Sequence, residues 1–296
     1  MSSMRTILVA SDFSFDAHRA ARRAALLARE HGATLRLLHV LHPDAAARAA
    51  QQRRRPPVDL DQRLSLDAHR SLDSLAEDVT APDLTVEREM RSGVVLDEIL
   101  AAADQADMLV LGPRGLRPIH ELILGTAAER LLNKSRRPML VVKREPAAQY
   151  RRVLVPVDFS DHSLTTVRFA RLLVPNAELC LFHALESVAE GTLRTAGVSE
   201  ENIAQYGTQD ESEAREEMEK LIADLGPMSL PPLPVVQRGD PRVQISATAE
   251  SYAADLIVIG KHGRSRLAEY FLGGATRVTL ARALCDVAVV PEARAS

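Results

Sequence analysis

The sequence predicts an α/β protein made of two related halves. Three features carry that expectation. The run TILVA at residues 6–10 is short, apolar and rich in β-forming residues, as in a strand covered on both faces, and a helical pattern and a second strand pattern follow directly. A later apolar run closes on Gly112-Pro-Arg-Gly115, and nine residues further on Gly125-Thr126 opens another helical pattern. Both features then recur: Asp158-Phe-Ser repeats Asp12-Phe-Ser, and Gly260, Gly263 and Gly273 repeat the spacing of Gly112, Gly115 and Gly125.

Taken in order, residues 16–29 place Ala20, Ala24, Leu27 and Ala28 at helical spacing, with Asp16 as the expected N-cap and Gly32 as the stop. Residues 35–40 form the second strand, and the Ala/Arg-rich stretch 43–57 is an insertion. A helix is expected over 61–79 with Leu64, Leu72, Leu75 and Val79 on its apolar face, a strand over 84–88, a helix within 93–106 and a strand over 107–111. The half closes with residues 138–142, whose proline suits the start of an outer strand. The pattern restarts at 151–157, with strands at 179–184, 235–237, 255–259 and 288–290. Residues 190–208 read as an irregular polar insertion, 210–225 as an acidic helix with Ala214, Met218, Leu221 and Leu225 inward, and 247–254 as a further helix. The expected division is a first domain over 1–145, a linker over 146–150 and a second domain over 151–296.

Composition narrows the function. With 37 basic against 40 acidic side chains, the net charge of −3 gives no general footprint for nucleic acid. No apolar run is long enough to span a bilayer, and a strand pattern close to the N-terminus leaves no room for a signal peptide, so a cytoplasmic location is expected. Cys180 and Cys285 lack CxxC spacing and sit in apolar surroundings, as buried small side chains do.

The candidate site follows from strand ends and glycines. Asp12 stands at the C-terminal end of a strand, where open α/β sheets hold ligands. Its carboxylate suits a hydrogen bond from a base or ribose, a cation near phosphates, or a cap on the following turn, and the residues alone leave these open. Gly112 and Gly115 permit tight backbone geometry, Gly125 permits close approach at a helix start, and Thr126 adds a hydroxyl for a phosphate. In the second half Asp158 takes the place of Asp12. There Gly273 is followed by Gly274, Thr276 comes two residues late, and Lys261, His262, Arg264 and Arg266 form a positive flank. His39 and His183 are expected as packed or hydrogen-bonded side chains beside the sheet. Neither loop ends in the GK[ST] of a phosphate-binding hydrolase loop, and no Ser-His-Asp or metal constellation can be named.

On the phrases VASDFS, GPRGLRPIHELILGT and PMLVV in one half, and VPVDFS, GKHGRSRLAEYFLGG and VAVV in the other, the chain resembles a tandem universal stress protein of the UspA-like superfamily over nearly its whole length. The resemblance implies two Rossmann-like domains of the adenine nucleotide α-hydrolase-like type. Each would have a five-stranded parallel sheet of order 3-2-1-4-5 and a cleft for ATP, with Mg, or another adenylate. By this likeness Asp12 and Val40 lie near the adenosine, and Gly112, Gly115, Gly125 and Thr126 surround ribose and phosphates. Asp158, Ala184, Gly260, Gly263 and Gly273 are the matching positions, and Gly274 departs from the pattern. It also implies pairing of the two halves within the chain and allows a homodimer. The expected function is a cytoplasmic, stress-related regulator that binds an adenylate in the first half, with slow or absent turnover; the alternative is a protein-interaction platform without nucleotide.

Overall fold

In a computed structural model, residues 3–42, 60–114, 126–185, 195–196, 199–227, 230–263 and 272–292 are described. The chain divides into two compact units, Met1–Gln149 and Tyr150–Ser296. The first unit holds β1 (Thr6–Ala10), α1 (Phe15–His31), β2 (Thr34–Leu41), α2 (Leu60–Val79), β3 (Val86–Ser92), α3 (Val95–Ala103), β4 (Met108–Leu111), α4 (Thr126–Lys134) and β5 (Met139–Val141). Its strands are parallel in the order β3-β2-β1-β4-β5. The second unit holds β6 (Arg152–Pro156), α5 (Asp161–Leu173), β7 (Glu178–Leu185), α6 (Glu200–Asp224), β8 (Leu233–Arg238), α7 (Pro241–Ser251), β9 (Leu256–Gly260), α8 (Gly274–Arg282) and β10 (Asp286–Val290). Its strands are again parallel, in the order β8-β7-β6-β9-β10. In each unit the order is therefore 3-2-1-4-5, with the first strand central.

The central strands are the most apolar because helices cover both of their faces. Ile7, Leu8 and Val9 of β1, all of β4, Val153 to Val155 of β6 and Leu256 to Val258 of β9 are buried. Helix α1 packs on this layer through Leu27 and the small side chains of Ala17, Ala20, Ala21, Ala24 and Ala28, which let a helix lie close to a sheet. One carboxylate in each unit fixes the lower end of the central strand. Asp107 accepts from the N–H groups of Arg5 (2.7 Å) and Thr6 (2.9 Å), and Asp255 does the same for Arg151 (2.8 Å) and Arg152 (3.2 Å).

Several sequence expectations are corrected. Ser14, not Asp16, caps α1: its hydroxyl accepts from Ala17 N–H at 3.2 Å, and Asp16 lies two residues further on in the first turn, paired with Arg19. The edge strand β3 runs to Ser92 rather than ending at Arg88. Its alternating Glu and Arg residues hid it, and they are held by ion pairs such as Arg36 to Glu87 and Arg91 to Glu89. Helix α6 begins at Glu200, within the stretch expected to be irregular, because no proline interrupts 200–224 and helix tolerates the single Gly207 at a cost of about 1 kcal/mol. Helix α7 begins at Pro241, six residues before the expected start, with Asp240 as N-cap accepting from Arg242 N–H at 2.9 Å and proline in the first turn. The expected insertion at 43–57 lies outside the described residues.

Candidate functional site: a cleft at the strand ends

The first strand of each unit ends in the same turn. Phe13 and Phe159 adopt positive φ (62° and 58°), a costly conformation for a non-glycine residue. Each is held in place by its ring, which lies 4.3 Å from a histidine ring, Phe13 on His39 and Phe159 on His183. Those histidines are anchored in turn: His39 Nδ1 is 2.8 Å from the Ser11 carbonyl, and His183 Nδ1 is 2.8 Å from the Val157 carbonyl. Burial pushes the His39 imidazole below the ordinary histidine range, while the Ser11 bond and the Asp12 charge oppose the shift. The expectation of hydrogen-bonded histidines beside the sheet agrees with this arrangement. What it missed was the backbone: the doubled Asp-Phe-Ser carries a left-handed turn locked by an aromatic stack.

The turn aims the aspartates. Asp12 Oδ1 accepts from Ser14 N–H at 3.1 Å. Asp158 Oδ1 takes three donors, Ser160 N–H (3.1 Å), Ser160 Oγ–H (2.6 Å) and Ser163 Oγ–H (2.9 Å). Turn capping, one of the roles left open above, is thus filled by one oxygen. Its other oxygen, Oδ2, points toward the glycine loop, 3.1 Å from where a Cβ on Gly263 would stand.

In the second unit these parts enclose a cavity of about 870 Å³ at the C-terminal ends of the strands. Its walls include Asp158, Ala184, Gly260, Gly263 and Gly273, so the second-half candidates come together. It also includes residues not singled out as site members: His162 from the first turn of α5, His183, His262 and Arg242 at the start of α7. His162 had a signal, since it is the counterpart of Asp16 four residues beyond the paired aspartates. Gly260 is a packing requirement, because a Cβ there would lie 2.9 Å from the His162 ring. Gly273 donates its N–H to the Lys261 carbonyl at 3.0 Å and precedes α8, whose N-terminus has no side-chain cap and faces the cavity through Gly274, Ala275 and Thr276. Thr276 is turned away: its hydroxyl donates to the Gly260 carbonyl at 2.8 Å, so it does not replace the hydroxyl missing at 274. Of the expected positive flank, His262 lines the cavity and Lys261 is buried. Burial lowers its ammonium below the usual lysine range, with Glu292 opposing the shift, and Arg264 and Arg266 lie outside the described residues.

In the first unit Asp12, Val40 and Gly112 stand at the matching strand ends, with Val40 buried in β2. A Cβ on Gly112 would lie 2.7 Å from the Asp16 Cβ and 2.8 Å from its carbonyl carbon, so this glycine admits the start of α1. Thr126 is the first residue of α4, while Gly115 and Gly125 lie outside the described residues. Among the described residues no group of three or more His, Cys, Asp or Glu side chains stands together to hold a metal, and no helix is long and apolar enough to cross a membrane.

A doubled 3-2-1-4-5 parallel unit with a glycine loop facing a strand-end aspartate defines a family. The model described as the universal stress protein family matches residues 4–143 and again 149–291, and the chain belongs to that family, with its general regulatory role in stress. A universal stress protein of Mycolicibacterium smegmatis is 25% identical over 291 residues, covering 96% of each chain. One from Thermus aquaticus is 30% identical over 147 residues, covering 47% of this chain and 98% of its own. The crystal structure of a universal stress protein from Archaeoglobus fulgidus shares the fold with a TM-score of 0.70 at 20% identity, covering 97% of this chain and 98% of that one.

Proposed function

We propose that the protein is a regulatory nucleotide binder that holds ATP or another adenylate at the strand ends, with slow or absent turnover. The observation that carries this reading is the second-unit cavity, whose volume of about 870 Å³ suits a nucleotide. In this reading Asp158 Oδ2 would accept from ribose hydroxyls, the main chain at Ala184 would border the base, and Gly260, Gly263 and Gly273 would leave room for phosphates. The uncapped N-terminus of α8 favours the phosphate charge. Magnesium, where present, would be held chiefly by the phosphates, with at most one protein carboxylate.

The sequence points to the first half, whose loop keeps Gly125-Thr126, whereas the cavity described above is in the second. Calorimetric titration of nucleotide-stripped protein with ATP and Mg²⁺ separates them. Asp158→Ala and Gly263→Val are expected to weaken the second site at least tenfold, and Asp12→Ala the first. A stoichiometry of two with both losses assigns both clefts. No saturable binding at millimolar ATP would remove the nucleotide reading in favour of a protein-interaction platform.

A further inference from the structure

Three imidazoles on the wall of the second-unit cavity give it a property beyond nucleotide binding. His162 Nε2 is 3.0 Å from the Val290 carbonyl and His183 Nδ1 is 2.8 Å from the Val157 carbonyl. A carbonyl oxygen only accepts, so each of these nitrogens carries the hydrogen of the neutral ring. When either ring takes a second proton it goes to the other nitrogen, and the bond to the main chain survives. Charging these rings therefore keeps these two main-chain bonds in place. The third ring, His262, has Nδ1 3.7 Å from Glu292 Oε1, a carboxylate that favours the charged form.

Among the described residues, the other charged groups near them are these. Asp158 lies on the turn after β6, Asp161 begins α5, Lys261 follows β9, and Glu292 follows β10. At the start of α7, Arg242 is paired with Asp240 at 2.6 Å. The first unit differs at these positions. It has Asp16 for His162 and Arg114 for His262, fixed charges that stand 4.0 Å apart, and only His39 in common with His183.

Resting on the reading of this cleft as an adenylate site, we infer that it takes up protons together with the phosphates of its ligand through His162, His183 and His262. Phosphate charge stabilises an imidazolium, so the bound state holds more protons than the free state. Affinity therefore rises as pH falls and is flat at alkaline pH, where the rings are neutral in both states. The second unit becomes an acid-responsive nucleotide site beside a first unit with fixed charges.

Histidine ring NMR on the full chain tests this, with pH varied from about 5.5 to 8.5, with and without saturating ATP. His162→Gln, His183→Gln and His262→Gln assign the resonances. The titration midpoints are expected to move up with ATP by about half a unit to one unit, worth roughly three- to tenfold in affinity per ring. By calorimetry, tightening between pH 8 and pH 6 should be about tenfold greater in the wild type than in the His162→Gln, His262→Gln double variant. That difference cancels the titration of ATP itself. If ATP shifts these resonances while their midpoints stay fixed, the proton linkage is overturned and the nucleotide reading stands. If no ring responds to ATP at any pH, both are overturned.

Discussion

Glycine positions in the repeated loop answer to different neighbours, and a single methyl group distinguishes them. At Gly112 it would strike the backbone of Asp16, at Gly260 the His162 ring, and at Gly263 it would meet the Asp158 carboxylate. Gly112→Ala is therefore expected to destabilise the fold by about 1–3 kcal/mol, because backbone must move to admit the methyl. A lower urea midpoint with an unchanged slope would register it; an unchanged midpoint would show that α1 does not need this close approach. Phe159 illustrates a balance of the opposite kind. Its left-handed backbone costs roughly 1–2 kcal/mol, and the stack on His183 offsets about 1 kcal/mol. The paired aspartates were legible from the sequence because they repeat at a strand end. The positive φ of the following phenylalanine was not, since bulky residues seldom adopt it and only contact with a distant histidine makes it tolerable.

At the level of elements, burial decided what could be read. The buried strands β1, β4, β6 and β9 appear as apolar runs, whereas β3 is partly exposed and presents charged sequence with little pattern. Helix α7 was read six residues late because its start depends on a cap and a proline rather than on hydrophobic spacing. The carboxylate that precedes β4 and β9 is a device the strand pattern conceals, since Asp107 and Asp255 read simply as polar strand ends. Asp255→Ala is expected to cost about 1 kcal/mol by releasing two N–H groups at the start of β6. Amide exchange at Arg151 and Arg152 should accelerate with it; unchanged protection there would assign the bonds no role.

Across the whole molecule, the repeat made the architecture legible, and family membership extends over both halves. The repeat brought Asp158 and the second-half glycines to one place in the sequence pattern, and His262 lies within the same glycine loop, whereas His162 comes to the cavity from α5, which only the fold brings there. Alkaline stability offers a check on the second unit's core. Cys180 is buried in β7, and burial pushes its thiol from a usual value of 9.0 up to about 11. A raised folded value means the contribution is complete below about pH 9 and is lost as pH rises through about 11. On the order of 2–3 kcal/mol should disappear across that window. Cys180→Ala is expected to flatten this part of the stability profile, measured by urea unfolding at fixed pH steps; an equal slope in the variant would place the alkaline loss elsewhere.

Gly274 stands where the first half has a threonine, and nothing lies within 4 Å of the position a side chain there would occupy. The shape of the second cleft therefore does not enforce the glycine. Glycine and serine codons can differ by one base, so a lineage can gain or shed a hydroxyl at this position in a single mutational step without rebuilding any wall of the cavity. The two halves of one gene are in this respect separately adjustable.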